Sequence, residues 1–245
     1  MLEKIQTMLR EIRCYHTANE IAPVIEKAKQ NDLSYLEFIE KILEIEMQNR
    51  VKTRVKRYLK LANFPTLRTL EEFDFRFQTS ITKKEVNEWL TFSWIEQRSN
   101  KILMGAPGVG KTHLVLGTGY SAVYKGYKVI FFTMQTLMED MIIADKGGTF
   151  NDFIKRILKN DLIIIDELGY IPFKSIYSNL FFQLVNSCYE NVSLMITSNK
   201  LFNEWDCLFN DQTIATAILD RLLHHCEPII LIGDSYRLKD VEGKI

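Results

Sequence analysis

Through the first quarter of the chain, apolar side chains recur every three or four residues, the spacing of one helical face. Leu36, Ile39, Leu43 and Met47 make such a stripe, Ser34 and Glu37 open it as a capping box, and Val51, Val55, Tyr58, Leu59 and Ala62 continue the pattern. The stretch "NFPTLRTLEEFDF", residues 63 to 75, breaks it. A boundary is therefore placed at 68, with residues 1–68 expected as a small all-α domain and residues 69–245 as a second domain. Thr82 with Glu85, and Ile81 with Val86, then predict a helix start, the helix running on to about Arg98. Beyond it the period changes. Ile102 to Met104 is a short apolar run, a helical pattern follows through Leu114, Val115 and Tyr120 to Tyr124, residues 162 to 165 read "LIII", and "VSLMITSN" at 192 to 199 is a further apolar strand. Runs that are aliphatic on both sides belong in a parallel sheet covered on each face, which predicts an α/β fold.

Composition narrows this little. At 47% hydrophobic residues, with 11 Gly and 5 Pro, the chain can bury a sizeable core and carries neither low-complexity segments nor a repeat period. No apolar run approaches the roughly 18 residues that span a bilayer. "MLEKIQTMLREIR" also places charges where a secretory signal needs its apolar centre, so no membrane partner and a cytoplasmic location are expected. Cys14, Cys188, Cys207 and Cys226 form no CxxC pair and no zinc-ligand spacing, and are expected as buried free thiols.

Charge is balanced overall, at 31 basic and 31 acidic residues, but not in its distribution. Residues 1 to 68 carry 13 basic and 9 acidic side chains, a net of +4; the remainder carries 18 and 22, a net of −4. Much of the excess lies in "RVKTRVKRYLK", where Arg50, Lys52, Arg54, Lys56, Arg57 and Lys60 occur with no acid among them. The segment is a basic amphipathic helix. It admits three readings: a solvated face neutralised by the acidic helix before it, a surface for phosphate backbones, or a membrane surface.

The most specific chemistry lies in "KILMGAPGVGKTHLVLGTGY". Gly105, Ala106, Pro107, Gly108, Val109, Gly110, Lys111 and Thr112 spell G-x-x-x-x-G-K-T between a strand and a helix, the context a phosphate-binding loop requires. Backbone N–H groups of such a loop turn inward around the β- and γ-phosphates, and the helix dipole adds to them. Lys111 would reach the β/γ oxygens and the Thr112 hydroxyl would ligate Mg2+. A buried strand carrying an Asp to the metal should follow, and Leu162 to Ile165 ending in Asp166 fits. Glu167 is then placed to orient or deprotonate an attacking water. An adjacent acidic pair suits an ATPase that splits water better than a kinase, which has to exclude water from the γ-phosphate.

If "VSLMITSN" lies between the loop strand and the Asp166 strand, its polar tip reaches the γ-phosphate. Asn199 is chosen there as sensor, the alternative being a helix cap. Arg221 in "AILDRLLHH" either pairs with Asp220 or Glu227 or, in an oligomer, projects into a neighbouring subunit's nucleotide as an arginine finger.

With these residues in view, the chain resembles the AAA+ ATPases and, within them, the IstB-like transposition helper ATPases of bacterial insertion sequences, close to the DnaC-type helicase loaders. The matching stretches are "LSYLEFIEKILEIEMQNR", "FPTLRTLEEFDF", "GAPGVGKTHL", "LIIIDELGYIPF", "ITSNKLFNEW", "AILDRLLHH" and "GDSYRLKD". The resemblance implies a P-loop ATPase core behind a helical N-terminal domain used for DNA and oligomer contacts. It implies ATP and Mg2+ as cofactors, nucleotide-dependent self-association on double-stranded DNA of little sequence preference, and recruitment of a partner transposase. By the same resemblance Gly105 to His113 form the nucleotide loop, Asp166 is the metal carboxylate, Glu167 the base, Asn199 sensor 1, Arg221 the arginine finger and Arg237 a sensor-2 element. The usual C-terminal helical lid is expected to be largely absent, since only 24 residues follow Arg221. Residues 136 to 160 match a helical insertion that related initiators use on DNA, with Lys146 at its turn; a solvated hairpin is the other reading. A helicase loader and a nucleotide-gated DNA-binding module with incidental hydrolysis are the alternatives. Phe73 and Phe75 either flank the adenine or belong to the core.

Overall fold

The computed structural model describes residues 1–170, 175–209 and 211–238. It divides into two compact units, Met1–Arg57 and Tyr58–Ile245. The division falls earlier than the loss of periodicity near 68. The residues between behave as part of the second unit: Phe64 packs on Tyr120, ring centroids 4.4 Å apart, and Tyr120 donates its hydroxyl to the Thr66 carbonyl.

The first unit is helical: α1 (Leu2–Glu11), α2 (Tyr15–Gln30) and α3, which runs from Tyr35 to Ala62 and so continues past the division. Ser34 caps α3 through reciprocal bonds with Glu37. The α2 helix buries Thr17, Ala18 and Ile21. It is tied to α3 by Glu46, 7% exposed, whose carboxylate accepts the Thr17 N–H and hydroxyl at 3.2 and 2.9 Å and the Arg50 Nε at 2.9 Å. Burial raises the Glu46 pKa, but the Arg50 and Thr17 donors outweigh it and hold the carboxyl below its usual value. Leu36, Ile39, Leu43 and Met47 follow one side of α3 and are exposed.

In the second unit, α4 (Lys83–Trp89) starts on the expected Thr82–Glu85 capping box. It ends sooner than the periodicity suggests. Phe92 takes a left-handed φ of 60° while buried against Tyr127, which breaks the helix; α5 (Ser93–Glu96) is a separate turn. There follow β1 (Asn100–Gly105), α6 (Lys111–Lys125), β2 (Val129–Thr133), α7 (Met134–Lys146), α8 (Phe150–Ile157), β3 (Leu162–Leu168), α9 (Ser175–Cys188), β4 (Ser193–Ser198), α10 (Trp205–Phe209), α11 (Gln212–Leu223) and β5 (Cys226–Leu231).

The strands form one parallel sheet in the order β2-β3-β4-β1-β5. β4 is inserted between the loop strand and the Asp166 strand, as its polar tip required. Ile163, Ile164 and Ile165 of β3 are fully buried because helices cover both faces of the sheet. The sequence pattern did not reveal β5. It is an edge strand with Glu227 and Pro228 exposed, and a Pro is tolerated at an edge because no ladder donor is needed there. α7 and α8 form a helical hairpin whose Leu137, Met141, Phe153 and Ile157 join the main core. No helix among the described residues is long and apolar enough to cross a membrane. The cysteines are free thiols, but only Cys188 is buried, its pKa pushed up to about 12 by desolvation; Cys14 and Cys226 are half-buried and Cys207 is exposed.

Candidate functional site

The parallel strands β1, β3 and β4 direct their C-terminal ends at one cleft of about 400 Å³. Its floor is the loop between β1 and α6. Gly108 and Gly110 have φ of +87° and +99°, which side chains rarely adopt, and a Cβ on Gly110 would stand 2.7 Å from the Phe73 ring. The loop is therefore held closely on that side. Gln78, buried, donates to the Val109 carbonyl at 3.0 Å, and the Tyr236 N–H donates to the Gly108 carbonyl at 3.0 Å. Lys111 Nζ donates to the Gly105 and Ala106 carbonyls at 2.6 and 2.8 Å. Burial lowers the Lys111 pKa and the Arg237 charge adds to this, against the pull of Asp166.

Asp166, 3% exposed, accepts hydrogen bonds from the Thr112 hydroxyl at 3.0 Å and from the Thr197 hydroxyl. Desolvation raises its pKa above the usual carboxylate value, although Thr197, Thr112 and Lys111 oppose the shift. A buried carboxylate beside a hydroxyl, an ammonium and N–H groups at a helix start is a donor set that fits a Mg2+ polyphosphate.

Glu167 follows in a conformation that no local pattern predicts. The β3–β4 register runs from Ile165↔Ile196 to Leu168↔Ser198, so one extra residue is accommodated in β3, and Glu167 has a left-handed φ of 67°. Its N–H donates to Thr197 Oγ1 at 3.0 Å, and its exposed side chain lines the cleft. Such a bulge re-aims a side chain that a regular strand would carry elsewhere. Thr197 thus holds both acids, Asp166 by its side chain and Glu167 by its backbone.

The cleft also receives Arg237 from the same chain, and Phe73, Phe77 and Tyr236 from its walls. Phe77 and Tyr236 meet edge to face at 5.1 Å. Phe73 is buried and packs on His113, whose ring bonds the Thr69 carbonyl at 2.7 Å; Phe75 packs on Phe73 and is not among the lining residues. Asn199 is not among them either. Its Oδ1 is buried without a partner among the described residues and faces Gly169. Arg221 lies on α11 away from this cleft, paired with neither Asp220 nor Glu227: it donates to Asn186 Oδ1 at 2.7 Å and to the Ala217 carbonyl, over the Phe182 ring. Glu227 is taken by Lys101.

Of the basic residues singled out for DNA, Arg50 is engaged by Glu46, whereas Lys52, Arg54, Lys56, Arg57 and Lys60 are exposed along α3. Lys146 is exposed as the last residue of α7, before Gly147 and Gly148. Sequence reasoning missed Gln78, since a lone Gln before the loop carries no local signal, and within the polar tip Thr197, Ser198 and Asn199 it chose Asn199 where the structure brings Thr197 to the cleft.

Solved structures share this architecture. DnaA from Aquifex aeolicus bound to AMPPCP superposes with a TM-score of 0.56 at 23% identity, over 74% of this chain and 55% of that one. The DnaC helicase loader does so with a TM-score of 0.53 at 19% identity, over 72% of this chain and 99% of that one. The chain thus spans about half the length of the DnaA chain, and at these identities the likeness is one of fold, the AAA+ P-loop fold. Sequence relatives are nearer. An IS21 insertion-sequence protein of Pseudomonas aeruginosa, named for ATP binding, is 36% identical over 98% of this chain and 90% of its own. An IS5376 counterpart from Geobacillus stearothermophilus is 34% identical over 98% and 96%. The family model described as IstB-like ATP binding protein matches residues 7–243. Loop, paired carboxylates and full-length likeness agree, and the chain belongs to the IstB-like ATP-binding family of insertion sequences.

Proposed function

We propose that this protein binds and hydrolyses ATP with Mg2+, self-associates on double-stranded DNA when nucleotide is bound, and presents that DNA to a partner transposase. The observation that carries the catalytic part is the meeting of Lys111, Thr112, Asp166 and Glu167 at one cleft, with Thr197 bridging the acids. Lys111 and the loop N–H groups bind the β- and γ-phosphates. Thr112 and Asp166 hold Mg2+, which when bound neutralises charge developing on the phosphate oxygens. Glu167 takes a proton from water as its oxygen bonds to the γ-phosphorus, and the bond to the β-phosphate oxygen breaks with its electron pair leaving on ADP. Phe77 and Tyr236 offer aromatic surface to the base, and Arg237 places a cation beside the phosphates of its own chain.

The DNA and transposase parts are supported by the insertion-sequence relatives and by the excess positive charge of the N-terminal region. The likeness to the DnaC helicase loader keeps helicase loading as the second reading. Glu167→Gln tests the whole scheme. ATP hydrolysis should fall by about 10² to 10⁴-fold, nucleotide binding should persist, and the assembly should remain on duplex DNA in filter-binding or electron-microscopy assays. A variant that binds ATP but no longer associates with DNA would sink the proposed coupling; co-purification with a replicative helicase would favour loading.

A further inference from the structure

The first unit carries a second concave site, which narrows the DNA contact expected of the N-terminal domain to particular side chains. A groove of about 250 Å³ between the α1–α2 turn and α3 is lined by Arg13, His16, Arg50, Arg54 and Arg57, with Glu46 at its base and Tyr15 and Thr53 beside them. Four Arg and one Glu leave +3 in this groove. The single acid does little to quench it, because Glu46 is buried and already occupied by Thr17 and Arg50.

The position of Arg13 is unusual. It ends α1 in a left-handed conformation, φ 62°, where a helix normally places Gly or Asn. Its carbonyl accepts Arg50 Nη2 at 3.3 Å, which fixes the turn against α3. Thr53 Oγ1 lies 3.5 Å from His16 Nε2. On α3, Arg50, Arg54 and Arg57 are spaced at four and then three residues, so all three share one face. Lys52 and Lys56, adjacent in the sequence, fall on the opposite side of the helix at 3.6 residues per turn. The uninterrupted basic run therefore separates into an arginine face that builds the groove and a lysine face that does not.

Guanidinium groups gathered in a concavity repel one another unless a polyanion sits among them, and their planar fork suits phosphate oxygens. Arg54 and Arg57 stand about 4.5 Å apart along the α3 axis, comparable with the roughly 3.4 Å step between nucleotides of one strand, and Arg13 lines the same groove. We infer that the groove seats the phosphodiester backbone of duplex DNA, with Arg13, Arg54 and Arg57 as its contacts and Arg50 as the strut that holds Arg13 in place. The inference rests on the DNA-binding reading above.

Charge-matched pairs test it. The full-length protein is titrated with 50-base-pair duplexes of two unrelated sequences, with a non-hydrolysable ATP analogue, from about 50 to 200 mM salt. Arg13→Ala with Arg54→Ala should weaken binding to both sequences alike and lower the salt slope by about 1.8, at about 0.9 per phosphate contact. Lys52→Ala with Lys56→Ala, which removes the same charge, should leave the slope nearly unchanged. Arg13→Gly deletes the side chain while suiting the left-handed backbone, so its weaker binding cannot come from misfolding. Equal losses from the two pairs, or a loss confined to the lysine pair, would overturn the groove while leaving DNA binding intact. A larger loss on single strands than on duplex would also overturn it. A wild-type protein that binds no DNA under these conditions removes the functional reading and the groove with it.

Discussion

At the residue scale the site turns on Thr197, one of three polar residues at the tip of its strand. Its hydroxyl donates to Asp166 and accepts the Glu167 N–H at 3.0 Å, so a single side chain sets both carboxylates. Thr197→Val keeps the shape and removes both bonds. Turnover should fall by about 10²-fold, the cost of a small misplacement of catalytic groups, with KM for ATP little changed, and Thr197→Ser should restore it. A merely structural threonine would instead lose stability without this split in the kinetic constants. Asp166 gives a pH signature. Its folded-state pKa is raised by burial, so the bound proton stabilises the fold. That contribution is complete below the unfolded value of about 3.9 and is lost as pH rises through the folded value. In urea unfolding with chelator present, the stability of wild type relative to Asp166→Asn should therefore decline as pH rises above about 4. A flat difference would argue that the carboxylate is not strained by its burial.

At the scale of elements, the clearest readings came where periodicity and capping coincide. The α3 and α4 starts are set by Ser34 with Glu37 and by Thr82 with Glu85, and the aliphatic run of β3 requires cover on both faces. The phosphate loop, Asp166 and Glu167 were legible because their chemistry is local to a few residues. What was not legible depends on distant partners. Phe92 stops α4 because it packs on Tyr127, and β5 pairs with β1 although its short apolar run is interrupted by Glu227 and Pro228. Thr197 lies within β4 and lines the cleft, whereas Asn199 lies just past the end of the strand and does not. The α2–α3 link is likewise a long-range match, between Thr17 and Glu46. Thr17→Val should cost about 1 kcal/mol, appearing as faster amide exchange within residues 1–57 with the ATPase rate unchanged.

At the scale of the whole molecule, a chain of zero net charge carries its positive excess in residues 1 to 68 and its negative excess beyond. Copies arrayed on DNA would add their basic surfaces into a continuous track. Arg221 belongs to this scale because it does not line the cleft of its own chain. If copies supply it to one another, Arg221→Ala should leave ATP affinity of the dilute protein unaltered and lower turnover of the DNA-bound assembly by about 10³-fold. Equal loss in dilute and assembled protein would place its action within one chain. The left-handed backbone at Glu167 bears on how such a chain can be inherited. Glycine there would relieve about 1 kcal/mol of backbone cost. It would also remove the side chain proposed above to act on water. Under the proposed role, durability and turnover therefore make opposite demands on position 167.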